Sequence, residues 1–357
     1  MKIYLFTRYD NLGASSRVRF IQFFPILKSI GSDIKHNFLI SNKELSRKYN
    51  FWQYSFLSIF FAYIKRINQV IRLNKDEIIW IEKELFPYFP LLIEMFFLKN
   101  KKYIIDFDDA IFHNYDKNTN KLIRFIFKNK IETLMKNAYC VSVGNKYLEK
   151  KAYSSGAKNI KKIPSVIDLK KYENLGKIQK NKKLSKALKI VWIGSPATSH
   201  YLNLISKPLQ VISKNYDFTL RIIGSESFKI EGVKLECLRW EEDLEAKYIS
   251  ECDIGIMPLM DTPWDRGKCG YKLIQYMACY LPVIASPIGI NKELVKNEKN
   301  GFLASCRSDW ENALKKLLNS YQLRQKMGKE GRKLVEKEYS LQTVGLSIME
   351  IFKTFNN

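Results

Sequence analysis

Short apolar runs rich in β-branched residues, each followed by a longer stretch with helical spacing, recur along the whole chain. In the first half they are Lys2 to Thr7, Glu77 to Ile81, Lys102 to Phe107 and Ala138 to Val143. In the second they are Leu188 to Ile193, Phe218 to Ile223, Lys234 to Leu238, Asp253 to Met257 and Val283 to Ala285. Runs that stay apolar instead of alternating suit strands covered on both faces, so the pattern predicts parallel sheets flanked by helices. Helices are expected at Trp310 to Leu318, opened by Ser308-Asp309-Trp310-Glu311 as a capping box, at Tyr321 to Glu338, and at Leu341 to Phe355.

Between the two sets lies 170–186, rich in Lys, Asn and Gln and nearly free of large apolar residues. The expected architecture is α/β: two Rossmann-like, doubly wound domains, 1–169 and 187–338, joined by this linker and facing a central cleft. A last helix within 339–357 is expected to return to the first domain. A length of 357 residues suits two such domains. The chain holds neither GxGxxG nor GxxxxGK[ST], which removes the main support for the common dinucleotide and P-loop readings.

Composition narrows the class. With 46% hydrophobic and 13% aromatic residues, general disorder is excluded. The six cysteines, Cys140, Cys237, Cys252, Cys269, Cys279 and Cys306, form no CxxC pair and mostly sit in apolar runs, as expected of reduced thiols and not of a disulfide scaffold or zinc site. The opening Met1-Lys2-Ile3-Tyr4-Leu5-Phe6-Thr7-Arg8 reads as a first strand and not as a signal peptide. No window reaches the roughly 18 uncharged apolar residues of a membrane span, so a soluble or peripheral cytoplasmic protein is expected.

The net charge of +24 asks for an anionic partner: nucleic acid, a membrane surface or a phosphorylated substrate. It divides into +15 over residues 1–175 and +9 over the rest. In the basic half, Phe51 to Lys75 begins aromatic and then places Ile64, Ile67 and Ile71 at helical spacing beside Lys65, Arg66 and Arg72. That pattern fits either an interfacial helix on anionic lipid or an amphipathic helix packed on its own sheet. Met95 to Lys102, running from apolar to basic, favours the membrane surface. Nucleic acid is disfavoured, because no binding motif appears and the 20 Tyr and 22 Phe fall largely in core-like runs.

Candidate chemistry concentrates in Asp253 to Ser286. A strand is followed by a loop bearing Arg266, Gly267, Lys268 and Gly270, then by a helix starting with Tyr271 and Lys272, then by a second apolar strand. A helix N-terminus beside cations suits a diphosphate. This segment resembles the donor-site signature of the family 4 glycosyltransferases (group 1), retaining enzymes of the GT-B fold. Met277-Ala278, Pro282-Val283-Ile284-Ala285, Gly289 with Glu293, and Asn300-Gly301-Phe302-Leu303 match in order. Ile163 to Asp168, Leu220 to Gly224 and Trp192 to Thr198 agree with further family segments.

The resemblance implies transfer of a sugar from a nucleoside diphosphate to an acceptor hydroxyl, with no cofactor and no metal required. It implies donor contacts from Gly194, Ser195, Thr198, Gly224, Gly267, Gly270, Tyr271, Gln275 and Glu293, and charge neutralisation by Lys268 and Lys272. The family's pair of glutamates falls on Gly267 and Gln275, so the first carboxylate is missing; Gln275 retains hydrogen-bonding capacity for a ribose. On the acceptor side stand the loop with Gly13, Ala14, Ser15 and Arg17, and the carboxylates of Asp106-Phe107-Asp108-Asp109. The loop is either an approach for ligand or a plain turn capped by Ser16. Asp108 and Asp109 are expected to orient acceptor hydroxyls, with binding of a divalent metal as the lesser alternative, and the lone His113 to be structural. The acceptor implied is lipid-linked or an oligosaccharide. A non-catalytic sugar-nucleotide or glycan-binding subunit and a nucleotide-sugar epimerase are the alternatives.

Overall fold

The computed structural model describes residues 1–173 and 188–353. Two six-stranded sheets organise them, and every neighbouring pair of strands is parallel. The first holds β1 (Lys2–Tyr9), β2 (Asp33–Ile40), β3 (Ile78–Glu82), β4 (Tyr103–Phe107), β5 (Cys140–Val143) and β6 (Ile160–Lys162), in the order β2-β1-β3-β4-β5-β6. The second holds β7 (Leu188–Ile193), β8 (Phe218–Ile223), β9 (Lys234–Leu238), β10 (Ile254–Met257), β11 (Val283–Ala285) and β12 (Gly301–Leu303), in the order β12-β11-β10-β7-β8-β9.

Each predicted run contains a strand, because strands covered on both faces are apolar at most positions. In β7, Ile190 and Trp192 enter one core while Val191 and Ile193 enter the other. The three strands that the hydrophobic pattern misses, β2, β6 and β12, are all edge strands. An edge strand has one neighbour and more solvent, so it tolerates Asp33, Lys35 and Asn37 in β2 and needs only three residues in β6 and β12.

The chain divides into two compact units. The first comprises Met1–Ser165, Arg266–Cys269 and Val344–Asn357; the second comprises Val166–Asp265 and Gly270–Thr343. Residues 266–269, inside the span read as the second domain, therefore pack with the first unit. Of the expected linker, 174–186 lie outside the described residues; before them, Leu169–Tyr172 makes a short helical turn whose Tyr172 is buried in a core of the second unit. The final helix, Leu341–Lys353, sets Phe352 edge-on to Trp80 at 5.1 Å between ring centroids.

The capping box is shifted from its expected place. The helix is Arg307–Asn319 with Cys306 as its N-cap, and Ser308 lies inside it. Asp309 Oδ2 accepts from the Ser305 hydroxyl (2.7 Å) and from the N–H groups of Ser305 (2.9 Å) and Cys306 (3.1 Å). These bonds hold its carboxyl down at about 2. Asp309→Ala should lower stability to urea by about 1 kcal/mol. A depressed carboxyl stabilises above its ordinary value of 3.8 and loses that contribution as pH falls towards 2, so the gap between variant and parent should close over that interval.

Candidate functional site

In the second unit the strand order reverses between β7 and β10, the place where doubly wound sheets leave a crevice at their carboxyl ends. Gly194 follows β7 there. A Cβ at Gly194 would stand 2.6 Å from the Trp192 ring and 2.8 Å from Lys272 Nζ, so only glycine lets that ammonium lie against the backbone. Lys272 Nζ itself sits 4.4 Å from the centroid of Trp192. Gly224, after β8, has φ +89, and a Cβ on it would meet the Gly194 carbonyl oxygen at 2.5 Å. Gly270, with φ +68, is the N-cap of the helix Tyr271–Ala278 and supplies no capping side chain; a Cβ on it would collide with Leu294. The positive end of that helix, the Lys272 ammonium and two side-chain-free backbone turns thus converge at the switch point, an arrangement suited to an oxyanion such as a diphosphate.

The other predicted donor residues are placed around this point with differing access. Ser195 is the N-cap of the short helix Pro196–Ile205, its carbonyl accepting from Thr198 N (2.9 Å) and Thr198 Oγ1 (3.0 Å). Tyr271 is partly buried against the second unit's core. Gln275 is buried, and its Nε2 donates to Tyr172 OH at 3.5 Å, so its amide already has a protein partner. Glu293 lies in the one-turn helix Asn291–Leu294 and is partly exposed.

In the first unit the order reverses between β1 and β3. Gly13 is the N-cap of the helix Ala14–Arg19, and a Cβ there would run into the Tyr9 side chain. Ala14 is exposed, and Arg17 Nη1 donates to the Asn11 carbonyl at 3.0 Å. Ser16 is not a cap. Ser15 Oγ and Ser16 Oγ donate to the two oxygens of Glu82 at 2.5 and 2.6 Å, and Arg8 N adds a third bond at 2.8 Å. Glu82, at the end of β3, thereby ties the loop after β1 to the sheet.

The acidic run after β4 is compensated. Arg19 holds Asp106 with two bonds, Nε to Oδ1 at 2.9 Å and Nη2 to Oδ2 at 2.6 Å. Lys83, in the left-handed region at φ +67, places Nζ 2.8 Å from Asp108 and 3.8 Å from Asp109. Against the cost of burial, Lys83 and Arg19 hold Asp108 below the ordinary carboxylate range. Asp109 is pushed above that range by burial and by the Asp108 charge, with Lys83 and Lys268 opposing. His113 is bonded through both nitrogens, to Asp116 (2.8 Å) and Tyr147 OH (2.9 Å), as a structural residue would be.

Residues 266–269 lie against this carboxylate run. Asn145 Nδ2 donates to the carbonyls of Gly267 (2.7 Å) and Lys268 (3.1 Å), and Cys269 Sγ donates to the Asp108 carbonyl at 3.0 Å. A Cβ at Gly267 would stand 2.5 Å from Ala110 Cβ and 2.7 Å from its backbone nitrogen. Position 267 therefore has no room for any side chain, which is the physical reason glycine stands there. Gly267→Glu is expected to lower stability by about 1–3 kcal/mol, as overpacking does, without raising any transfer rate; a thermal melt alongside a turnover assay checks both.

The structure thus gathers Gly194, Gly224, Gly270 and Lys272 in the second unit, and Asp108, Asp109, Gly267 and Lys268 in the first. Sequence reasoning missed Glu82, Lys83, Arg19 and Asn145, and read Trp192 only as part of a family-like segment. The signal for the first two was visible: a charged Glu82-Lys83-Glu84 directly after the apolar Ile78-Ile79-Trp80-Ile81, at the same strand end as the acidic run after β4.

Residues 187–320 match the family described as glycosyl transferases group 1. Over 153 residues, 41% of this chain and 40% of the other, the sequence is 27% identical to CapM, a capsular polysaccharide biosynthesis glycosyltransferase of Staphylococcus aureus. Over 156 residues, 40% of this chain and 43% of the other, it is 24% identical to a glycosyltransferase of Methanocaldococcus jannaschii. The chain thus covers less than half the length of these curated relatives. Anabaena HepE, solved in complex with UDP-glucose, superposes with a TM-score of 0.69 over 99% of this chain and 100% of the other at 13% identity, so the fold is GT-B.

Proposed function

We propose that this chain, whose residues 187–320 belong to the group 1 glycosyltransferases, moves a sugar from a nucleoside diphosphate to an acceptor hydroxyl with the anomeric configuration retained. The acceptor is a lipid-linked saccharide in the assembly of a bacterial surface polysaccharide or glycoconjugate, and the protein works at the inner face of the cell membrane. The observation that carries this reading is the seat at the β7/β10 switch point, where Lys272 lies over Trp192 beside Gly194, next to the glycine-started helix Tyr271–Ala278. The relative CapM, named for capsular polysaccharide biosynthesis, and HepE, solved with UDP-glucose, support the direction of the reading.

In the reaction the bond from the anomeric carbon to the phosphate oxygen breaks, and its electron pair leaves with the diphosphate. Lys272, the helix N-terminus and Lys268 neutralise that charge where it develops. The acceptor oxygen then bonds to the anomeric carbon on the face the phosphate has left, and its proton passes to the departing phosphate oxygen. Asp108 and Asp109 hold acceptor hydroxyls. Lysines do the neutralising, so the reading needs no metal and no cofactor.

A second reading, a non-catalytic sugar-nucleotide-binding subunit, is favoured by one observation: position 267 is sealed against Ala110 and cannot carry the carboxylate that the family places there. A binding screen of UDP-, GDP- and dTDP-sugars, followed by transfer to lipid-linked saccharides, separates the two. Donor binding with a glycosylated product supports the transferase, and donor binding without turnover supports the subunit. An isomerised donor would point to an epimerase. The transferase reading fails if no nucleotide sugar binds; if Lys268→Ala and Lys272→Ala both bind and turn over like the parent, the assignment of these lysines to the site fails.

A further inference from the structure

The helix Phe56–Ile71 packs Ile59, Ala62, Tyr63 and Val70 inward and turns a second apolar face away from the protein. Phe56 is 83% exposed, Phe60 52% and Phe61 63%, with Leu57 and Ile64 on the same side. Beside its inward apolar residues stands Arg66, which the sequence pattern had placed among the surface cations. Arg66 is 1% exposed and donates to the carbonyls of Thr7 (2.7 Å), Asn37 (3.1 Å) and Leu85 (3.4 Å). Three carbonyl bonds from one buried guanidinium fix the rotation of the helix, so the outward phenylalanines are a built feature of the fold.

Two further helices repeat the pattern. On Leu91–Leu98, Leu92 is 82% and Phe96 73% exposed; on Lys121–Phe127, Phe125 is 79% exposed beside Leu122 and Ile126. All three are pinned to the loop 86–90, which leaves the carboxyl end of β3. Tyr63 of the first helix bonds the Pro87 carbonyl at 2.6 Å and packs 5.8 Å from Phe89. Phe86 lies 5.8 Å from Phe97 of the second, and Tyr88 6.4 Å from Phe127 of the third. Exposed cations accompany the three apolar groups: Lys65 and Arg72, Lys99, and Lys121 with Lys128. The only carboxylate on these helices, Glu94, is fully buried and ion-paired to Lys130. Beside Phe96 the surface sinks into an open depression of about 460 Å³ lined also by Lys99 and Lys101.

We infer that these three helix faces together form a membrane-docking surface, with Phe56, Phe60, Phe61, Leu92, Phe96 and Phe125 entering the acyl boundary of an anionic bilayer while the lysines and Arg72 meet its headgroups. Apolar side chains bordered by cations and free of exposed acid match an anionic lipid surface, and a protein partner would not require that bias of sign. The inference rests on the transferase reading only for its purpose, since the docking loop begins at the same strand end as Glu82 and places a lipid-linked acceptor near Asp108 and Asp109 of the same unit.

Sedimentation of the full chain with phosphatidylcholine vesicles containing phosphatidylglycerol tests it. Binding is expected to weaken at least about tenfold in Phe60→Asp/Phe61→Asp, and about fivefold for each of Lys65→Gln and Arg72→Gln. It should also weaken on pure phosphatidylcholine. Nucleotide-sugar binding and far-ultraviolet circular dichroism of the variants should match the parent, showing that the fold is kept. Absence of vesicle binding by the parent, or unchanged binding by the double variant, overturns the inference. So does a dimer that the double variant splits while vesicles stay unbound, which would assign the face to a second copy of the chain. Sedimentation needs no turnover, so its failure leaves the transferase reading standing; vesicle binding without donor binding defeats the transferase reading alone.

Discussion

Lys130→Met is expected to destabilise the protein by about 3–5 kcal/mol, because it strips two buried carboxylates of their shared partner. Lys130 Nζ is fully buried, 2.8 Å from Glu84 and 3.0 Å from Glu94, and it also donates to the Phe86 carbonyl at 2.5 Å. Glu84 keeps the Tyr115 hydroxyl and Glu94 keeps the Leu85 N–H, but neither neutralises a charge. Burial already holds Glu94 above the usual carboxylate range, against the pull of Lys130. In the variant the Glu94 carboxyl should move further up. A raised folded-state carboxyl favours folding at low pH and costs stability as pH rises through its folded value, so the deficit should be largest near pH 8 and shrink by pH 5.5. Urea midpoints at the two pH values measure this. A deficit that does not change with pH would mean the lysine acts through packing alone. Because Lys130 also grips the loop that gathers the three apolar helices, Glu84→Gln/Glu94→Gln added to Lys130→Met should restore part of both the stability and the vesicle binding.

The second large effect belongs to Lys272→Ala. If the ammonium over Trp192 neutralises charge developing on a leaving diphosphate, its removal should slow transfer about 10²- to 10³-fold, the loss usual for one fixed electrostatic contact in a catalytic site. Donor affinity should fall much less, because the helix N-terminus and the turns at Gly194 and Gly224 remain. Steady-state kinetics with the donor identified by the binding screen separates the two parameters. An unchanged kcat with weakened donor binding would make Lys272 a ground-state anchor only. Trp192 is fully buried and should keep its place in the variant, so a loss of folding would not account for a slower rate.

Much of the fold was legible in the chain, and the reasons are local. Doubly buried strands such as β3 and β7 are apolar at most positions, and so they stand out of the sequence. The edge strand β2, with Asp33, Lys35 and Asn37, does not. Gly270 announced a helix start because its positive φ and its approach to Leu294 both exclude a side chain. Glu82 and Lys83 were overlooked because their importance depends on Ser15, Ser16 and Asp108, residues that only the sheet brings beside them.

The helix Phe56–Ile71 separates the two kinds of information most clearly. Spacing alone established that it is amphipathic, and composition established that its neighbourhood is basic. Neither could say which way it faces, since an apolar stripe serves a core and a bilayer equally well. That was decided by Arg66, whose three carbonyl partners come from β1, β2 and the loop after β3. The same holds at Gly267. The sequence by itself, read through the family resemblance, showed glycine where a carboxylate is expected. Only the tertiary structure, by setting Ala110 within 2.5 Å of where a side chain would begin, decided that none could be accommodated. Short-range periodicity reports which residues need burial; what they are buried against is a property of contacts made across long stretches of sequence.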